Sequence, residues 1–384
     1  MKILLGHNFY RYRGGEDEVV EDEAQLLKDK GEEVFFYHKS NKAFDRLTPL
    51  SKLQALYHIG WSREAYTEVR SLIRQHKPEV AHFHNLFYRL TPSVYQACHE
   101  EGVPVVQTLH NYRIRCANGL YFRNGEICQK CLKDTFQPAI RYGCFQNSRL
   151  KTFFLVRALQ KYWEKGIWAK YVRRFIVLSE FSKQKHLEAG LPKEKMAVKP
   201  NFCPPASEPG KKGNFVLYLG RLSLEKGVDV LVEAWRKHAF FPLKIAGDGP
   251  QKAELQAKAG KDVEFLGALP KQDAMRLLQE AKMLVVPSVC YENFPRVIVE
   301  AFSMGTPVLC SKLGGMAEIV EEGVSGFHFE PGNPDDLLRQ MKRMKDMDLT
   351  QIQKNARKIY QERYTAEGNY SFLRSIYEEA ICAE

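Results

Sequence analysis

The sequence lacks any hydrophobic run approaching the ~18 residues that a membrane-spanning helix requires. Its first residues, MKILLGHN, contain only a brief apolar core at positions 3–5, which is too short for a secretion signal. The nine cysteines, an odd number, argue against an extracellular disulfide framework and favour a reducing compartment. We therefore expect a cytoplasmic protein in which residues 2–6 form a buried strand.

Acidic residues are fewer than basic ones, 46 against 57, which gives a formal net charge of +11 at pH 7. This deficit of negative charge favours an acidic partner, and nucleic acid, an anionic membrane surface and phosphorylated substrates all qualify. The composition is otherwise that of an ordinary globular protein, with 44% hydrophobic and 27% charged residues. Because 384 residues exceed the size at which one hydrophobic core keeps growing, we expect two domains.

Short apolar runs alternate with helical patterns along most of the chain, which is typical of parallel α/β sheets. In the first half the predicted strands are 2–6, 33–37, 79–83, 103–109 and 174–178. A polar stretch over 200–213, rich in proline and glycine, is typical of an interdomain linker. A second series of strand, loop and helix starts at Asn214, and helices are predicted to fill the carboxyl-terminal end.

The stretch 287–300, PSVCYENFPRVIVE, combines a strand end, a loop and the start of a helix. Pro295 opens the amphipathic segment at a position where a missing N–H costs little. The amides of Asn293 and Phe294 are expected at this helix N-terminus, which favours a phosphate or sugar oxygen. The pattern therefore predicts a donor-binding turn.

Two glutamates bracket that turn in an E-x7-E spacing, with Glu292 in the loop and Glu300 in the helix. One carboxylate can contact a sugar while the other accepts hydrogen bonds from two hydroxyls of a ribose. A lone pair at this spacing is usually a loop residue and a solvated helix face. Here the spacing resembles the donor-binding signature of retaining family-4 glycosyltransferases, and the following GTPVL-x4-GG-x2-E-x4-G-x-SGF extends the match over 305–327.

This resemblance covers nearly the whole chain and implies the α/β GT-B fold, in which two Rossmann-like domains face each other across a cleft. The implied acceptor-side domain spans 1–199 and is completed by a C-terminal helix over 364–384. The implied nucleotide-sugar-binding domain spans 200–363. The resembled enzymes are retaining hexosyltransferases that use a nucleoside diphosphate sugar, a UDP- or GDP-sugar, and no catalytic metal is expected.

The loop after the first strand of the second series carries Arg221 and Lys226 before a glycine. It resembles the family's G-R-x4-KG element, which implies that the two cations grip the donor diphosphate. Fixed cations at a helix N-terminus can stabilise the growing charge of the leaving group without a metal. The resemblance also assigns Gly15, in a glycine turn before the first helix, and Asn201 to donor binding.

Two predicted strands of the first half end in histidine–asparagine pairs, where open α/β sheets bind their ligands. The T-x-H element ending at His110 resembles one in the family, which implies that His110 contacts the transferred sugar and acts with Glu292 in catalysis. We assign His84 and Asn85, at the preceding strand end, to the acceptor side. His82 shares a strand face with His84, but two histidines alone do not define a metal site.

An insertion over 116–144 contains a Cys-x2-Cys pair with one more cysteine on each side, namely Cys116, Cys128, Cys131 and Cys144. Four thiolates match the ligand count of a structural tetrahedral zinc site. Four reduced cysteines, or a redox-labile disulfide, are the alternatives. Zinc is favoured insofar as the insertion has few large apolar residues to fold around.

Residues 149–185 are the most basic part of the chain, with ten Lys or Arg against Glu164 and Glu180, a local charge of +8. Within 149–174, Trp, Phe and Leu residues are interleaved with the basic ones, as in helices that lie in a membrane interface. A core-facing helix with a solvated basic face is the alternative. Binding of single-stranded nucleic acid fits less well, so no nucleic acid partner is expected.

The predicted function is transfer of a sugar from a nucleoside diphosphate sugar to an acceptor, a lipid-linked saccharide in cell-surface polysaccharide synthesis. The protein is expected to lie on the inner face of the plasma membrane. In the mechanism that the resemblance implies, the acceptor hydroxyl attacks on the face from which the diphosphate leaves. The alternatives are a sugar-nucleotide epimerase or a phosphorylase on the same fold, and a non-enzymatic polyanion-binding protein.

Overall fold

A computed structural model describes residues 1–46, 48, 59–133, 135–204 and 210–383. The chain divides into two compact units: Met1–Tyr121, Gln129–Pro200 and Asn369–Glu384 form the first, and Phe122–Cys128 with Asn201–Gly368 form the second. The insertion was expected to lie wholly in the first domain, whereas its hairpin over 122–128 groups with the second unit. Part of the predicted linker, 205–209, lies outside the described residues.

Short strands alternate with helices along the described part of the chain. The strands are β1 (Lys2–Phe9), β2 (Glu33–Ser40), β3 (Val80–Phe83), β4 (Val105–Leu109), β5 (Phe122–Arg123), β6 (Glu126–Ile127), β7 (Val172–Val177), β8 (Met196–Val198), β9 (Val216–Leu219), β10 (Leu243–Ala246), β11 (Val263–Gly267), β12 (Met283–Val286), β13 (Val308–Ser311) and β14 (Gly326–Phe329). The α-helices are α1 (Gly15–Asp29), α2 (Arg63–His76), α3 (Ser93–Glu100), α4 (Gln137–Tyr142), α5 (Arg149–Glu164), α6 (Ile167–Tyr171), α7 (Glu180–Glu188), α8 (Val228–Lys237), α9 (Lys252–Lys258), α10 (Lys271–Glu280), α11 (Arg296–Ser303), α12 (Gly314–Ile319), α13 (Pro334–Lys345), α14 (Thr350–Arg363) and α15 (Ala366–Cys382).

The first unit contains a parallel sheet in the order β2-β1-β3-β4-β7-β8. Its inner strands β3 and β4 are buried along their whole length, as expected for a sheet covered by helices on both faces. The order of the strands reverses between β1 and β3, so the loops after these strands border the crevice where such sheets bind ligands. His84 and Asn85 directly follow β3, and His110 directly follows β4.

The second unit contains another parallel sheet, in the order β11-β10-β9-β12-β13-β14. Its order reverses between β9 and β12, which places the ligand crevice at the ends of those two strands. Arg221 and Lys226 lie in the loop after β9, and Glu292 lies in the loop after β12. The predicted pair of Rossmann-like α/β domains is therefore confirmed.

The last helix, α15, belongs to the first unit over most of its length. Its apolar face, which includes Leu373, Ile376 and Tyr377, packs with Ile3 and Val80 of the sheet. The tyrosine hydroxyl also lies 2.7 Å from the Nδ1 atom of a buried histidine of β3. The helix thus supports the strands that carry the first unit's polar residues.

Across the described part of the chain, we find no helix with the length and apolar character needed to cross a bilayer.

Candidate active site

An ion pair lies where the second sheet changes direction. Lys226, after β9, and Glu292, after β12, approach to 2.6 Å between Nζ and Oε1. The Ser288 hydroxyl donates to the same carboxylate oxygen over 2.8 Å. The structure thus brings together two predicted site residues that come from separate sequence motifs.

Two glycines allow the loops of this site to approach one another closely. Gly227 has a φ of +63°, and a Cβ atom there would lie 2.1 Å from the carbonyl oxygen of Pro287. A Cβ atom on Gly315 would lie 2.3 Å from the carbonyl oxygen of Asn293, and its own amide donates to the Glu292 carbonyl over 2.8 Å. The glycines of the KG and GG elements are therefore required by the packing of the loops.

The electrostatics of the pair keep the lysine charged. The Lys226 side chain is 31% exposed and that of Glu292 is 15% exposed. Burial by itself lowers the Lys226 pKa, but the charge of Glu292 and the hydrogen bond to it reverse this effect, so the Lys226 pKa is raised. A cation held in this way is available to the oxygens of a phosphate.

Arg221 and Glu300 are the other predicted donor-binding residues with charged side chains, and both lie in the second unit. Arg221 is exposed on the loop after β9, and its guanidinium forms no hydrogen bond within the described ranges. Glu300 lies in the second turn of α11, with its Oε1 atom 3.1 Å from Nε of Arg296 in the same helix. Arg221 is thus the cation of this site that remains most open to a ligand.

Asn293, Phe294 and Asn201 take up more buried positions than the sequence indicated. Asn293 and Phe294 precede α11, which begins at Arg296, one residue later than predicted. The Phe294 ring packs edge-to-face on Tyr364 with 5.8 Å between ring centroids, so its side chain anchors the loop. Asn201 is buried at the start of the second unit. Their roles in donor binding stay predictions.

In the first unit, His110 heads a line of buried polar groups. Its Nε2 atom is 2.8 Å from Nδ1 of His84, and the two rings stack with centroids 5.1 Å apart. The Nε2 atom of His84 is 3.1 Å from Oε1 of Glu23 on α1. The second carboxylate oxygen of Glu23 is 3.1 Å from Nζ of Lys199, which follows β8. The line thus joins four elements of the first unit.

Burial and charge fix the ionisation of this line. Glu23 and Lys199 are each only 2% exposed. Burial by itself raises the Glu23 pKa, but the charge of Lys199 and the adjacent histidines hold it well below its usual value. Burial lowers the pKa of His84 to about 3 and also holds the His110 pKa well below its usual value. Glu23 is therefore a carboxylate, and both histidines are neutral near pH 7.

The same region contains a cluster with potential metal ligands. Ligand atoms of Glu23, His82 and His84 lie within 4.8 Å of one another. However, the Lys199 ammonium already neutralises the carboxylate, and its positive charge opposes a metal ion. Both ring nitrogens of His82 lie within 2.8 Å of protein hydroxyl groups. The cluster therefore fits a buried hydrogen-bond network better than a metal centre.

The acceptor-side assignments of His84 and Asn85 stay predictions, and both residues lie in the lining of the first unit's pocket. Both ring nitrogens of His84 are engaged, by Glu23 and His110, so neither is left for a direct hydrogen bond to an acceptor. The Asn85 amide donates to the Asn8 carbonyl over 2.7 Å, and its Oδ1 atom accepts from an amide of its own loop. These residues hold the loop and the catalytic candidate in place because their polar atoms face the protein.

A pocket in the first unit is lined by His110 together with Glu16, Asn111 and Arg113. The remainder of its wall is mainly apolar and comes from the segment after β3 and from α3, α5 and α6, including Leu86, Phe87, Tyr95, Leu155, Leu159 and Trp168. An apolar wall with a few polar groups on one side is typical of a small-molecule site. The pocket is thus the place where the first unit can bind an organic ligand beside His110.

Gly15 begins α1 directly after the cap residue Gly14, whose amide donates to the Asp17 side chain over 3.1 Å. Within the described part of the chain, no atom outside the adjoining residues and the backbone of the same helix lies within 4 Å of a Cβ atom placed on Gly15, so packing against other elements does not require glycine there. The next residue, Glu16, accepts a 2.8 Å hydrogen bond from Tyr10, and burial raises its pKa. The donor role of Gly15 stays a prediction.

The four cysteines of the insertion do not converge on one point. Among the described residues, no three of the sulfurs of Cys116, Cys128, Cys131 and Cys144 form a group within 4.8 Å. Burial raises the pKa of Cys116, and its Sγ atom lies 3.0 Å from Oδ1 of Asn118. The predicted zinc site at these four cysteines stays a prediction.

The insertion folds around large side chains to a greater extent than its composition suggested. Arg115 is buried, and its Nε atom donates to the Leu132 carbonyl over 2.9 Å. Its guanidinium stacks over the rings of Phe136 and Trp163, 5.1 and 5.0 Å from their centroids. Arg115, just before the insertion, thus packs between an aromatic ring of the insertion and one of α5.

The basic aromatic segment forms α5, α6 and the start of β7, and most of its apolar side chains are internal. Leu155, Leu159 and Trp168 belong to the buried core of the first unit. Of the large apolar residues in this segment, Leu150 and Phe153 are the ones that are exposed, at 59% and 39%. The prediction that the apolar face of this helix lies in a membrane is therefore wrong, because that face is already covered by protein.

Several residues of the site were not predicted from the sequence. Glu23 resembles the other acidic residues of α1, but it stands four positions after Val19 and four before Leu27, on the buried face of the helix. A charge at such a position signals a buried partner. No comparable pattern identified Lys199, which follows a three-residue strand, or Ser288.

The chain matches two family models. The model described as Glycosyltransferase Family 4 matches residues 13–206, just over half of the chain, and the model described as Glycosyl transferases group 1 matches residues 203–362. The second match contains Arg221, Lys226, Glu292 and Glu300, and the first contains His84 and His110.

Curated relatives include a lipopolysaccharide 1,2-N-acetylglucosaminetransferase from Salmonella typhimurium, 29% identical over 225 residues, which is 50% of this chain and 59% of that protein. An uncharacterized 42.6 kDa protein in the cps region of Klebsiella pneumoniae is 26% identical over 353 residues, 83% of this chain and 86% of that protein. For the first curated relatives, the aligned part spans about half of their own length.

Two solved structures share the fold over nearly their whole length. Anabaena HepE, in complex with UDP, gives a TM-score of 0.67 at 19% identity, covering 98% of this chain and 100% of that chain. Sucrose-phosphate synthase from Thermosynechococcus elongatus gives a TM-score of 0.72 at 17% identity, covering 100% of both chains. At such identities the likeness concerns the fold, which is the GT-B arrangement of parallel α/β domains.

Proposed function

The chain belongs to glycosyltransferase family 4, and from this premise we propose that it transfers a sugar, with retention of configuration, from a nucleoside diphosphate sugar to a lipid-linked saccharide. The observation that carries the proposal is the 2.6 Å pair of Lys226 and Glu292 at the switch point of the second sheet, with Arg221 exposed on the same loop as the lysine. Two cations there can hold a diphosphate, and a carboxylate beside them can accept a sugar hydroxyl.

The leaving diphosphate is the group that these cations would serve. Negative charge grows on the diphosphate as its bond to the sugar breaks, so fixed cations stabilise the transition state more than the bound donor. Lys226 stays protonated because its pKa is raised, and Arg221 adds an exposed guanidinium on the same loop. These two residues can supply the required charge, so the proposal includes no catalytic metal.

The state of the two carboxylates in the E-x7-E motif argues against a covalent glycosyl-enzyme intermediate. Glu292 is paired with Lys226, and Glu300 lies 3.1 Å from Nε of Arg296, so each carboxylate has a cationic partner. Such pairing reduces the reactivity of a carboxylate as a nucleophile. We therefore favour attack by the acceptor hydroxyl on the face from which the diphosphate leaves. In this scheme Glu292 and His110 contact the reacting sugar, and Glu300 accepts the ribose hydroxyls.

A lipid-linked acceptor is supported by the pocket beside His110 and by the surface charge of α5. The pocket offers an apolar wall next to polar groups that include Arg113, which suits a molecule with apolar and anionic parts. Lys161, Lys165, Lys170 and Arg173 are exposed on and after α5, where they can attract an anionic leaflet. On this proposal the enzyme works at the cytoplasmic face of a membrane, held by charge rather than by an inserted apolar face.

The donor is tested by thermal shift and calorimetry with UDP, GDP and ADP. One diphosphate should stabilise the protein, by about 2.7 kcal/mol at 100 times its dissociation constant. UDP is the first candidate because HepE, of the same fold, was solved with UDP. Glu292→Ala and His110→Ala should lower kcat far more than they change nucleotide affinity. Unaltered turnover in either variant would remove that residue from the catalytic set.

The acceptor is tested by sedimentation with anionic vesicles. Reversal of Lys161, Lys165, Lys170 and Arg173 to Glu should release the protein, since each cation near the surface contributes about 1 kcal/mol. The matched control reverses an equal set of exposed residues in the second unit, Lys258, Lys261, Lys271 and Arg276. Wild-type protein that stays in the supernatant at low salt excludes the membrane but not the transferase.

Two other functions predict different results. A sugar-nucleotide epimerase would convert the donor without any acceptor and release no free nucleoside diphosphate. A polyanion-binding protein would be retained on heparin but show no nucleotide-dependent stabilisation. The net charge of +11 is the feature that favours the latter, and it is accounted for in part by the basic surface of α5.

A further inference from the structure

We infer that Glu23, acting through His84, fixes the tautomer of His110 so that its Nδ1 atom faces the pocket as a hydrogen-bond acceptor. Glu23 and His84 are thus positioning residues for the catalytic candidate, although neither contacts the substrate. The consequence for turnover rests on the proposed function, whereas the tautomer itself does not.

The charge of Glu23 decides which atom carries the proton between Glu23 and His84. Glu23 is ionised, since Lys199 lies 3.1 Å from its Oε2 atom and the pair is buried from water. A carboxylate can only accept hydrogen bonds. The Nε2 atom of His84, 3.1 Å from Oε1, must therefore carry the proton that it shares with Glu23.

The other ring nitrogen of His84, Nδ1, faces His110. A neutral imidazole has one protonated nitrogen, so the Nδ1 atom of His84 carries a lone pair. This atom lies 2.8 Å from Nε2 of His110, and two lone pairs cannot face each other at that distance. The Nε2 atom of His110 must therefore be the donor, and its neutral ring keeps a lone pair on Nδ1.

The lone pair on Nδ1 of His110 is left for a ligand in the pocket. Within the described part of the chain, the Nδ1 atom of His110 forms no hydrogen bond, and His110 is half-buried in the wall of the pocket. A sugar hydroxyl that enters the pocket can donate to this atom. The opposite tautomer would present an N–H and would select an acceptor atom instead.

The surroundings keep this order of protons in place. His82 also approaches Oε1 of Glu23, with its Nδ1 atom 3.2 Å away, and Asn369 accepts from Lys199 over 3.0 Å. A separate buried pair, His7 and Asp17 at 2.8 Å, lies in the same unit. The donors around Glu23 come from Lys199, His82 and His84, which is consistent with an anionic carboxylate.

Glu23→Gln provides the test because it should reverse the direction of the hydrogen bonds along the line from residue 23 to His110. The side-chain oxygen of glutamine must accept from Lys199, so its NH2 group faces His84 and donates to Nε2. His84 then carries its proton on Nδ1 and donates to His110, whose own proton moves to Nδ1. Nitrogen NMR of labelled full-length protein, assigned by loss of signals in His110→Asn, reports which ring nitrogen is protonated.

Wild type is expected to show His110 protonated on Nε2, and Glu23→Gln is expected to show it protonated on Nδ1. Asp17→Asn is the matched control, because it breaks another buried histidine–carboxylate pair in the same unit and should leave the His110 tautomer unchanged. A wild-type His110 protonated on Nδ1, or a folded Glu23→Gln protein with an unchanged tautomer, overturns the inference. The wild-type spectrum decides the matter even where the variant does not fold.

Turnover provides the second readout. In Glu23→Gln, kcat should fall by at least about tenfold, the equivalent of 1.4 kcal/mol, while nucleotide affinity stays within twofold of wild type. A switched tautomer with unchanged kcat overturns the positioning role. A wild-type protein with the expected tautomer but no activity on any nucleotide sugar contradicts the proposed function and leaves the tautomer assignment standing.

Discussion

The Lys226 side chain shows how a residue can be held ready for an anion without losing its charge. Its partner Glu292 offsets the cost of partial burial and directs the ammonium to the loop ends, while Arg221 on the same loop remains exposed. A donor diphosphate would gain two charge-assisted contacts there. Nucleotide binding should therefore depend on both cations.

Arg221→Ala and Lys226→Ala are each expected to weaken binding of the preferred nucleoside diphosphate by about 1.5–3 kcal/mol, the range for a hydrogen bond to a charged group. Isothermal calorimetry measures this directly. Lys258→Ala removes a surface lysine that pairs with Glu254 in the same unit, and it should leave affinity unchanged. A double variant that binds as tightly as wild type would show that the diphosphate is held elsewhere.

Buried histidines of the first unit should make the protein sensitive to acid. Burial lowers the pKa of His84 and of His186 to about 3, whereas both take the ordinary value near 6.5 in the unfolded chain. Between these values the unfolded state binds more protons, so the free energy of unfolding falls as pH falls from about 6.5 toward 3. Each histidine contributes about 1.4 kcal/mol per pH unit in that window.

Urea unfolding of wild type and His186→Gln at pH 7 and pH 5 checks this expectation. The ring of His186 lies 5.4 Å from that of Tyr112, away from the line that ends at His110, so its replacement isolates one titration. The variant should lose less stability on acidification than wild type does. Identical losses would mean that His186 is not held neutral by the fold.

At this scale, the sequence was informative wherever a residue belongs to a short motif. Arg221, Lys226 and Glu292 were predicted because glycines and prolines of fixed spacing surround them. Glu23 and Lys199 were not predicted, since they pair with each other over 176 positions and no local pattern requires either residue. Long-range polar pairs depend on the topology of the sheet, which residue patterns alone do not specify.

The helix α5 is the element in which the structure differs most from expectation. Its amphipathic pattern predicted a membrane face, but a core-facing helix has the same pattern, and the sequence does not reveal which surface covers it. In the structure Leu155 and Leu159 meet the core, while the basic residues face outward. The strands β8, β13 and β14 were also missed, because runs of three or four residues carry little periodicity.

Truncations along this segment separate its internal and external sides. Leu155→Ala and Trp168→Ala should destabilise the protein by about 2–5 kcal/mol, the range for removing a large side chain from a core. Leu150→Ala and Phe153→Ala, on the exposed side, should change stability by less than about 0.5 kcal/mol. Chemical unfolding measures all four. Equal effects on both sides would contradict the packing described for α5.

For the molecule as a whole, two parallel sheets with their ligand crevices at the switch points account for most of what the sequence indicated. Alternating strands and helices predicted both sheets, and each site residue predicted from a strand end lies at such an end. The insertion 116–144 was predicted less well. The zinc site suggested by its cysteines stays a prediction, while Arg115, just before it, packs between an aromatic ring of the insertion and one of α5.

We propose that this family-4 chain moves a sugar from a nucleoside diphosphate sugar to an acceptor, and that its charged loops and His110 serve this transfer. The most direct measurement incubates the protein with a panel of nucleoside diphosphate sugars and extracted lipid-linked saccharides, and follows both products by NMR. We expect that one nucleotide sugar is consumed and that free nucleoside diphosphate and glycosylated acceptor appear in equal amounts. The new glycosidic bond should keep the donor's anomeric configuration. The double variant Arg221→Ala/Lys226→Ala should form neither product. A wild-type protein that neither binds nor consumes any nucleotide sugar of the panel would contradict this proposal.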